Sequence, residues 1–385
     1  MRTMIQNGTL VTPGRILKGS VLVEEDLISE ITDAAILPAA CREKGCAIVD
    51  ADGSYVLPGL VDLHCDVLEN ALQPRKNVVM PIPLALLSVQ SQLLTAGITS
   101  MFHAISFSGG EGLRSNGFSL DTVRSLVEFQ KGSSALIRNF IHMRYELANN
   151  GDIGPLCRIL EEGLPALFSV MDHSPQYGKY KTRDDYREYI RNSENISGKA
   201  LEDYVKAQWD RRAAVDPGVE RLLIKLAVQQ KIPFATHDDV TPEKLDRYRQ
   251  FGSTISEFPL NEETARHAIR LNMFAVVGAP NLLRNQSHQK NLPARYAIKN
   301  SLANVICSDY YPFALLAAVF ILFEEGVKLS EAVNFASLYP ARAAGLADRL
   351  GSLEAGKKAD IILVHHEPGV FPYVKRAMVG GKWAF

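Results

Sequence analysis

From Leu57 onward the sequence keeps one rhythm, in which short β-branched runs alternate with amphipathic stretches of about 10 to 15 residues. That alternation marks βα units and a parallel sheet, because parallel neighbours need a crossover, usually a helix, to bring the chain back to the same end. Eight such runs can be counted, at 57–64, 98–104, 136–146, 166–172, 232–237, 254–258, 274–278 and 304–308. Eight parallel strands with their helices close into a barrel, so the expected class is α/β and the expected architecture a (β/α)8, TIM-like barrel. Chemistry in such a barrel sits where strands end and loops begin, which directs attention to polar residues at strand C-termini.

A barrel of this kind needs roughly 250 residues, and the chain has 385. The surplus falls mainly in two places. Residues 2 to 56 read as short strands with Asn7-Gly8 and Asp52-Gly53 as hairpin turns, and ADIILVHH followed by YVKRAMVGGKWAF is strand-like again. Neither end has enough strands to stand alone. Residues 1–56 plus 350–385 are therefore expected to form one small β-sandwich domain beside a barrel spanning 57–349. The other surplus, Gln176 to Val228, is charge-rich and reads as helical; a lid over the barrel mouth and an ordinary helical insertion both fit it.

Hydrophobic residues at 46% and charged residues at 22% exclude a disordered or fibrous chain. Lys plus Arg is 42 against Asp plus Glu at 43, so no global field draws in nucleic acid or an anionic membrane. Any anionic ligand must be held by local groups. The longest nearly apolar run, Tyr310 to Phe323, contains Pro312 and is too short to cross a bilayer. The opening MRTMIQNGTLVTPGR has a turn where a signal peptide needs an apolar stretch, so a cytoplasmic location is expected. Five cysteines (Cys41, Cys46, Cys65, Cys157, Cys307) are few, odd in number and scattered, which argues against a disulfide framework. Cys41 and Cys46 lack the second pair that would close a zinc knuckle.

Alternation along VLPGLVDLHCD puts His64 and Asp66 on one face of the first barrel strand and Cys65 on the other. In the third strand Arg138, Phe140, His142, Arg144 and Glu146 share one face, and Ile137, Ile141, Met143, Tyr145 and Leu147 share the other. The apolar row should meet the helices, leaving the polar row inside. The fourth strand ends at His173, the fifth at His237-Asp238-Asp239 and the eighth at Ser308-Asp309. A lone histidine is more often a satisfied core or surface residue than a ligand. Three histidines and three carboxylates, all at C-terminal strand ends, form a different kind of pattern, and imidazole with carboxylate suits zinc, manganese or iron. Two divalent ions about 3.5 to 4 Å apart would bring the pKa of a shared water towards about 7. Asp309 would receive its proton, and Glu146 could bridge the ions with both oxygens.

The segments VLPGLVDLHCD, YPARAAGL at 339–346 and GSLEAGKKADIILV at 351–364 resemble the amidohydrolase superfamily, whose members are metal-dependent (β/α)8 barrels carrying a small β-sandwich made of both chain ends. The resemblance implies His64 and Asp66 on one ion, His173 and His237 on the other, and Asp309 as the acid/base. Many members bridge their ions with a carboxylated lysine. No lysine stands at a suitable strand end here, which leaves Glu146 for that role.

Further segments, HMRYEL at 142–147, MDHSP at 171–175, ATHDD at 235–239, SEFP at 256–259, GAPNLLRNQSH at 278–288 and SDYYP at 308–312, are similar to the diphosphatases of carbon-phosphorus lyase pathways. That similarity implies hydrolysis of the triphosphate of a ribose 1-methylphosphonate, releasing diphosphate and leaving a 5-phosphate. The expected partner is a small phosphorylated sugar, with no nucleic acid and no membrane; homo-oligomerisation stays open. Attack on phosphorus needs cations around the phosphoryl oxygens. Arg284, Ser287, His288 and Lys290, in the loop after strand seven, are the candidate donors, in a region that barrel phosphate sites favour.

Three departures from the family pattern bear on the substrate. The stretch Asn285 to Asn291 has no glycine where the family has a Gly-Gly-Ser-His-x-Gly-Asn type of loop, and glycine is what lets backbone amides approach a phosphate closely. After MDHSP the usual Gly-Gln is replaced by Gln176-Tyr177-Gly178-Lys179, where Lys179 would replace a basic contact, and the strand-two end carries His103 where an aspartate is common. Two other functions compete. One is a cyclic-amide or imide hydrolase acting on dihydropyrimidines or hydantoins, against which the 284–288 loop and the missing lysine count. The other is a non-catalytic scaffold that has lost its ligands, against which the intact His64, Asp66, His173, His237 and Asp309 count.

Overall fold

This computed structural model describes residues 2–33, 45–175, 180, 182–285 and 291–385. Five strands come first: β1 (Arg2–Val11), β2 (Ile16–Glu24), β3 (Leu27–Thr32), β4 (Cys46–Asp50) and β5 (Tyr55–Pro58). The next eight are β6 (Leu60–Cys65), β7 (Ile98–Phe107), β8 (Arg138–Glu146), β9 (Leu167–Met171), β10 (Phe234–His237), β11 (Ile255–Glu257), β12 (Phe274–Gly278) and β13 (Val305–Cys307). Three more close the chain: β14 (Ile361–His365), β15 (Tyr373–Val379) and β16 (Lys382–Trp383). Both chain ends build one mixed sheet in the order β16-β15-β14-β5-β1-β2-β3, with β4 on β1. The middle eight form a second, all-parallel sheet from β6 through to β13.

The run read as one strand over 57–64 is two. Its first half, β5, pairs with β1 and β14 in the small sheet, and its second half, β6, opens the barrel. Gly59 stands at the crossing, where a Cβ would come within 2.1 Å of Thr99 Oγ1, so only glycine fits. The second barrel strand is longer than expected and continues to Phe107, which leaves His103 well short of its end. His103 is buried and bonded through Nε2 to Asn139 Oδ1 at 2.8 Å, away from the barrel mouth.

Alternation sorts the barrel side chains into two apolar layers. Ile137, Ile141, Met143, Tyr145 and Leu147 of the third strand pack outward with the helices, as the sequence predicts. Inside, Val61, Leu63, Phe102, Leu167, Ala235, Ile255, Val276, Val305 and Cys307 form a floor, joined by Phe140 and closed below by Ala341, Ala343 and Leu350. This floor seals one end of the barrel, so any ligand must enter from the other.

The charge-rich insertion forms the helices Arg183–Glu194 and Gly198–Ala213, followed by Pro217–Gln229, which packs against the barrel through Leu223, Ile224 and Ala227. The first begins with a capping box between Thr182 and Asp185. The second is tied to the barrel mouth by Arg211, whose Nη2 donates to the carbonyls of Ser108 and Gly109 at 3.0 and 3.2 Å, and by Arg212, 2.9 Å from Asp172. The insertion is thus a docked wall of the mouth. Cys65, Cys157 and Cys307 are free thiols, whereas Cys46 is disulfide-bonded, a bridge not anticipated from the scatter that argues against a disulfide framework. Cys41 lies outside the described residues. Among those residues no helix is long and apolar enough to cross a membrane.

Candidate metal centre

The barrel closes where its first and last strands are stitched together. Cys65 pairs in parallel with Asp309, the Asp309 amide donates to His64 O at 3.0 Å, and the Asp66 amide donates to Asp309 O at 2.7 Å. This seam brings His64, Asp66 and Asp309 together, with ligand atoms within 4.8 Å of one another. A register shift between Asp62 and Cys65 helps. Val61 and Leu63 face the interior floor while Cys65 packs outward, so parity breaks at His64 and the bulge re-aims its ring. Asp309 holds a left-handed φ of 60°. Gly278 lies against it, and a Cβ there would sit 3.1 Å from Asp309 Oδ2.

Across the mouth, His173, His237 and Asp238 form a second group with ligand atoms equally close. The sequence places Asp238 and Asp239 together at the end of the fifth strand and assigns a role to neither. The chain turns left-handed at Asp238, with φ 49°, and the two aspartates part ways. Asp239 turns into the wall, accepting from Thr236 Oγ1 at 2.6 Å and Ser256 Oγ at 2.5 Å, with Lys244 Nζ at 2.9 Å. Asp238 is left facing His237 Nε2 and His173 Nε2 at 3.9 and 3.8 Å.

A buried carboxylate between the two groups was also missed. Glu257, the last residue of β11, is fully buried and meets Nδ1 of His64 at 3.1 Å and Nδ1 of His237 at 3.3 Å. Its sequence signal was the SEFP segment, to which no role was attached. Burial pushes the Glu257 carboxyl up, but the charge of His64 and the hydrogen bonds from His237 and His64 outweigh it and hold the group well below the usual carboxylate range. His64 shows the reciprocal balance, since burial and Arg144 push its pKa down while Glu257 and Asp66 leave it raised overall. Phe258, also left-handed at φ 55°, packs edge-on against both rings at 5.2 and 5.3 Å.

Glu146 plays the same part for His173. Its Oε2 accepts from His173 Nδ1 at 2.9 Å, and its two oxygens also receive the His173 amide at 3.1 and 3.3 Å. The carboxylate expected to bridge two ions is here engaged with one imidazole, and among the described residues it belongs to neither of these two groups nor to the close trio His64, His237 and Glu257. His142 is a structural imidazole. Its Nδ1 faces the Leu63 carbonyl at 3.0 Å and must carry the proton, so Nε2 accepts from Ser169 Oγ at 2.8 Å; burial lowers its pKa to about 3.

These donors suit divalent ions. In all three ligand histidines Nδ1 is held by a carboxylate, which leaves Nε2 directed at Asp66 or Asp238, the outer-shell arrangement that fixes a metal-binding tautomer. The separations of 3.8 to 3.9 Å are too long for hydrogen bonds and comparable with those between two ligands flanking one ion. His64, Asp66 and Asp309 would hold one ion, and His173, His237 and Asp238 another.

Above them opens a cavity of about 1010 Å³. Its walls come from the strand ends, from the loop at Ser108, Gly109 and Gly110, and from Tyr186, Tyr204 and Arg211 of the docked helices. The expected phosphate cradle fares differently. Arg284 is exposed at the end of the helix Ala279–Arg284 and is not among the residues lining the cavity, although Asn281 and Asn291 on either side are. Ser287, His288, Lys290 and Lys179 lie outside the described residues.

The model of the amidohydrolase family matches residues 55–384. The chain is 29% identical over 372 residues, 94% of its length and 95% of the relative's, to an alpha-D-ribose 1-methylphosphonate 5-triphosphate diphosphatase of Escherichia coli (strain K12). A dihydroorotase of Pelobacter propionicus is 36% identical over 80 residues, 20% of this chain and 18% of that one. Among solved structures, molinate hydrolase superposes with a TM-score of 0.67 at 14% identity, covering 99% of this chain and 94% of the other, a likeness of fold.

Proposed function

The chain belongs to the amidohydrolase family, and from that premise we propose that it is a two-ion hydrolase that cleaves alpha-D-ribose 1-methylphosphonate 5-triphosphate, releasing diphosphate and leaving the 5-phosphate. The observation that carries this reading is the end-to-end similarity to the Escherichia coli diphosphatase, which spans every strand end that supplies a ligand. The cavity agrees in size and polarity with a small anionic sugar. A pair of divalent ions, zinc by donor type with manganese and iron also suited, would polarise the phosphoryl group and acidify water.

The chain's own residues do the rest. Asp309, pinned by its amide to His64 O, accepts the proton of the attacking water. The new bond forms between that water's oxygen and the α-phosphorus, the α–β anhydride bond breaks, and diphosphate departs with the electron pair. Glu257 and Glu146 keep the imidazoles oriented, and the apolar floor below excludes bulk water.

Cyclic-amide hydrolysis is the second reading, favoured by the short dihydroorotase match, which covers only 20% of the chain. No lysine is among the described residues lining the cavity to support a lysine-bridged centre. The test is direct. Protein reloaded with zinc or manganese is incubated with ribose triphosphates, with and without a 1-phosphonate, and with dihydroorotate and hydantoin. Diphosphate release is expected; ring opening without diphosphate release would transfer the assignment to the second reading. Metal-replete protein inert on every triphosphate would overturn the first.

A further inference from the structure

Three arginines among the described residues line the cavity, and their commitments differ. Arg114 is spent on a two-point contact with Glu69, Nε at 3.0 Å and Nη2 at 2.9 Å. Arg211 holds the insertion to the carbonyls of Ser108 and Gly109. Arg144, on the inner face of β8, is only 6% exposed, yet within the described residues its single hydrogen bond is Nη1 to Asp66 at 3.1 Å. Its Nε is fully buried with no partner. A guanidinium has five donors, and burying one with most of them unspent is costly unless a ligand completes the set.

A second unspent donor lines the same cavity. Ser174, just beyond the end of β9, is 4% exposed, and its Oγ is buried without a partner among the described residues. Arg144 on β8 and Ser174 just beyond the neighbouring β9 thus stand beside Asp66 and His173, and both residues line the cavity that the ligand groups also line.

We propose that Arg144 and Ser174 form a phosphoryl-oxygen subsite, in which the guanidinium fork grips two non-bridging oxygens of a phosphate anhydride and Ser174 Oγ donates to a third. This deepens the proposed function and rests on it for the identity of the anhydride. The planar fork matches a phosphoryl group in two-point geometry, which an ammonium cannot do. The principal cation for the anionic substrate then lies on the strand-three wall, deep beside the ions. The strand-seven loop would contribute only at the rim.

The test is calorimetric titration of the zinc-loaded protein with imidodiphosphate, a non-hydrolysable diphosphate, alongside zinc stoichiometry and thermal unfolding. Arg144→Gln is expected to weaken imidodiphosphate binding by about 10- to 150-fold, the range for hydrogen bonds to charged groups, with zinc content retained. Arg144→Lys keeps a cation for Asp66 and guards against loss of folding; it should still bind about tenfold more weakly. Ser174→Ala should lose about 3- to 10-fold. Unchanged imidodiphosphate affinity in Arg144→Gln would overturn the subsite. So would a loss of zinc in step with anion binding, because Arg144 would then merely support Asp66. The two readings fail separately. Wild-type protein inert on triphosphates but binding imidodiphosphate through Arg144 keeps the subsite and removes the diphosphatase, while triphosphate turnover indifferent to Arg144 does the reverse.

Discussion

The two halves of the candidate metal centre are built by different means. His64, Asp66 and Asp309 are placed by backbone, through the seam that joins the first and last barrel strands. His173, His237 and Asp238 are placed by side chains and a left-handed turn, with Glu146 holding one ring and Glu257 the other. Glu257 also reaches across to His64, so among the described residues it is the one carboxylate bonded to a ring of each half. The seam half should therefore be stiff and tolerant of neighbouring substitutions. The other half should depend on each of its supporting carboxylates.

The largest expected effect comes from the seam. Asp309→Asn should lower turnover by about 10² to 10⁴ with metal content near normal, the range for losing a general base. Parallel steady-state kinetics and metal analysis check it, and a variant within a few-fold of wild-type turnover would remove Asp309 from that role. Glu257→Gln comes next and bears on the shared element. It should weaken both ions by about 10- to 100-fold, as outer-shell substitutions do. Glu146→Gln should weaken one ion by a similar factor and leave the other, giving a biphasic chelator titration. If Glu257→Gln also released only one ion, the halves would not be coupled through that carboxylate.

Acid should reach the seam through His142, which holds the carbonyl of Leu63 next to His64. Burial depresses the pKa of His142 to about 3 and that of His103 to about 4, so both stay neutral in the fold. The unfolded chain takes up those protons near pH 6.5. Between that pH and about 4 it binds more protons than the native state, and stability falls as pH falls. Each group contributes up to about 1.4 kcal/mol per pH unit in this window. Urea midpoints of metal-stripped protein from pH 7 to 4 measure the slope, and His103→Gln should remove its share; midpoints flat with pH would contradict the assignment. Arg284→Ala is expected to do least, raising KM by no more than about fivefold, the scale of an exposed charge. A much larger rise would return the strand-seven loop to the centre of phosphate binding.

Much of this was legible in the sequence because it depends on period and position. Eight βα units, the polar face of the third strand and the histidines at strand ends all follow from alternation, which the hydrophobic core enforces. What was not legible depends on breaks in alternation. The bulge at His64, the left-handed turn that separates Asp238 from Asp239, and Gly59 dividing one run between two sheets are local departures that a period-two reading passes over. Glu257 was hidden for another reason. It is a lone acid on a three-residue strand, and only its distances to two imidazoles from other strands give it meaning. Arg144 was legible only as one member of the polar face of its strand; that its Nε is buried with no partner among the described residues is a fact of packing that alternation does not carry.

The central claim is that two sets of strand-end ligands, joined by Glu257, hold two ions. Anomalous diffraction from crystals of the zinc-loaded protein tests it most directly. Two peaks are expected about 3.5 to 4 Å apart, one against His64, Asp66 and Asp309 and the other against His173, His237 and Asp238. A single peak bound at Glu257 between the two Nδ1 atoms, or none at the barrel mouth, would contradict it.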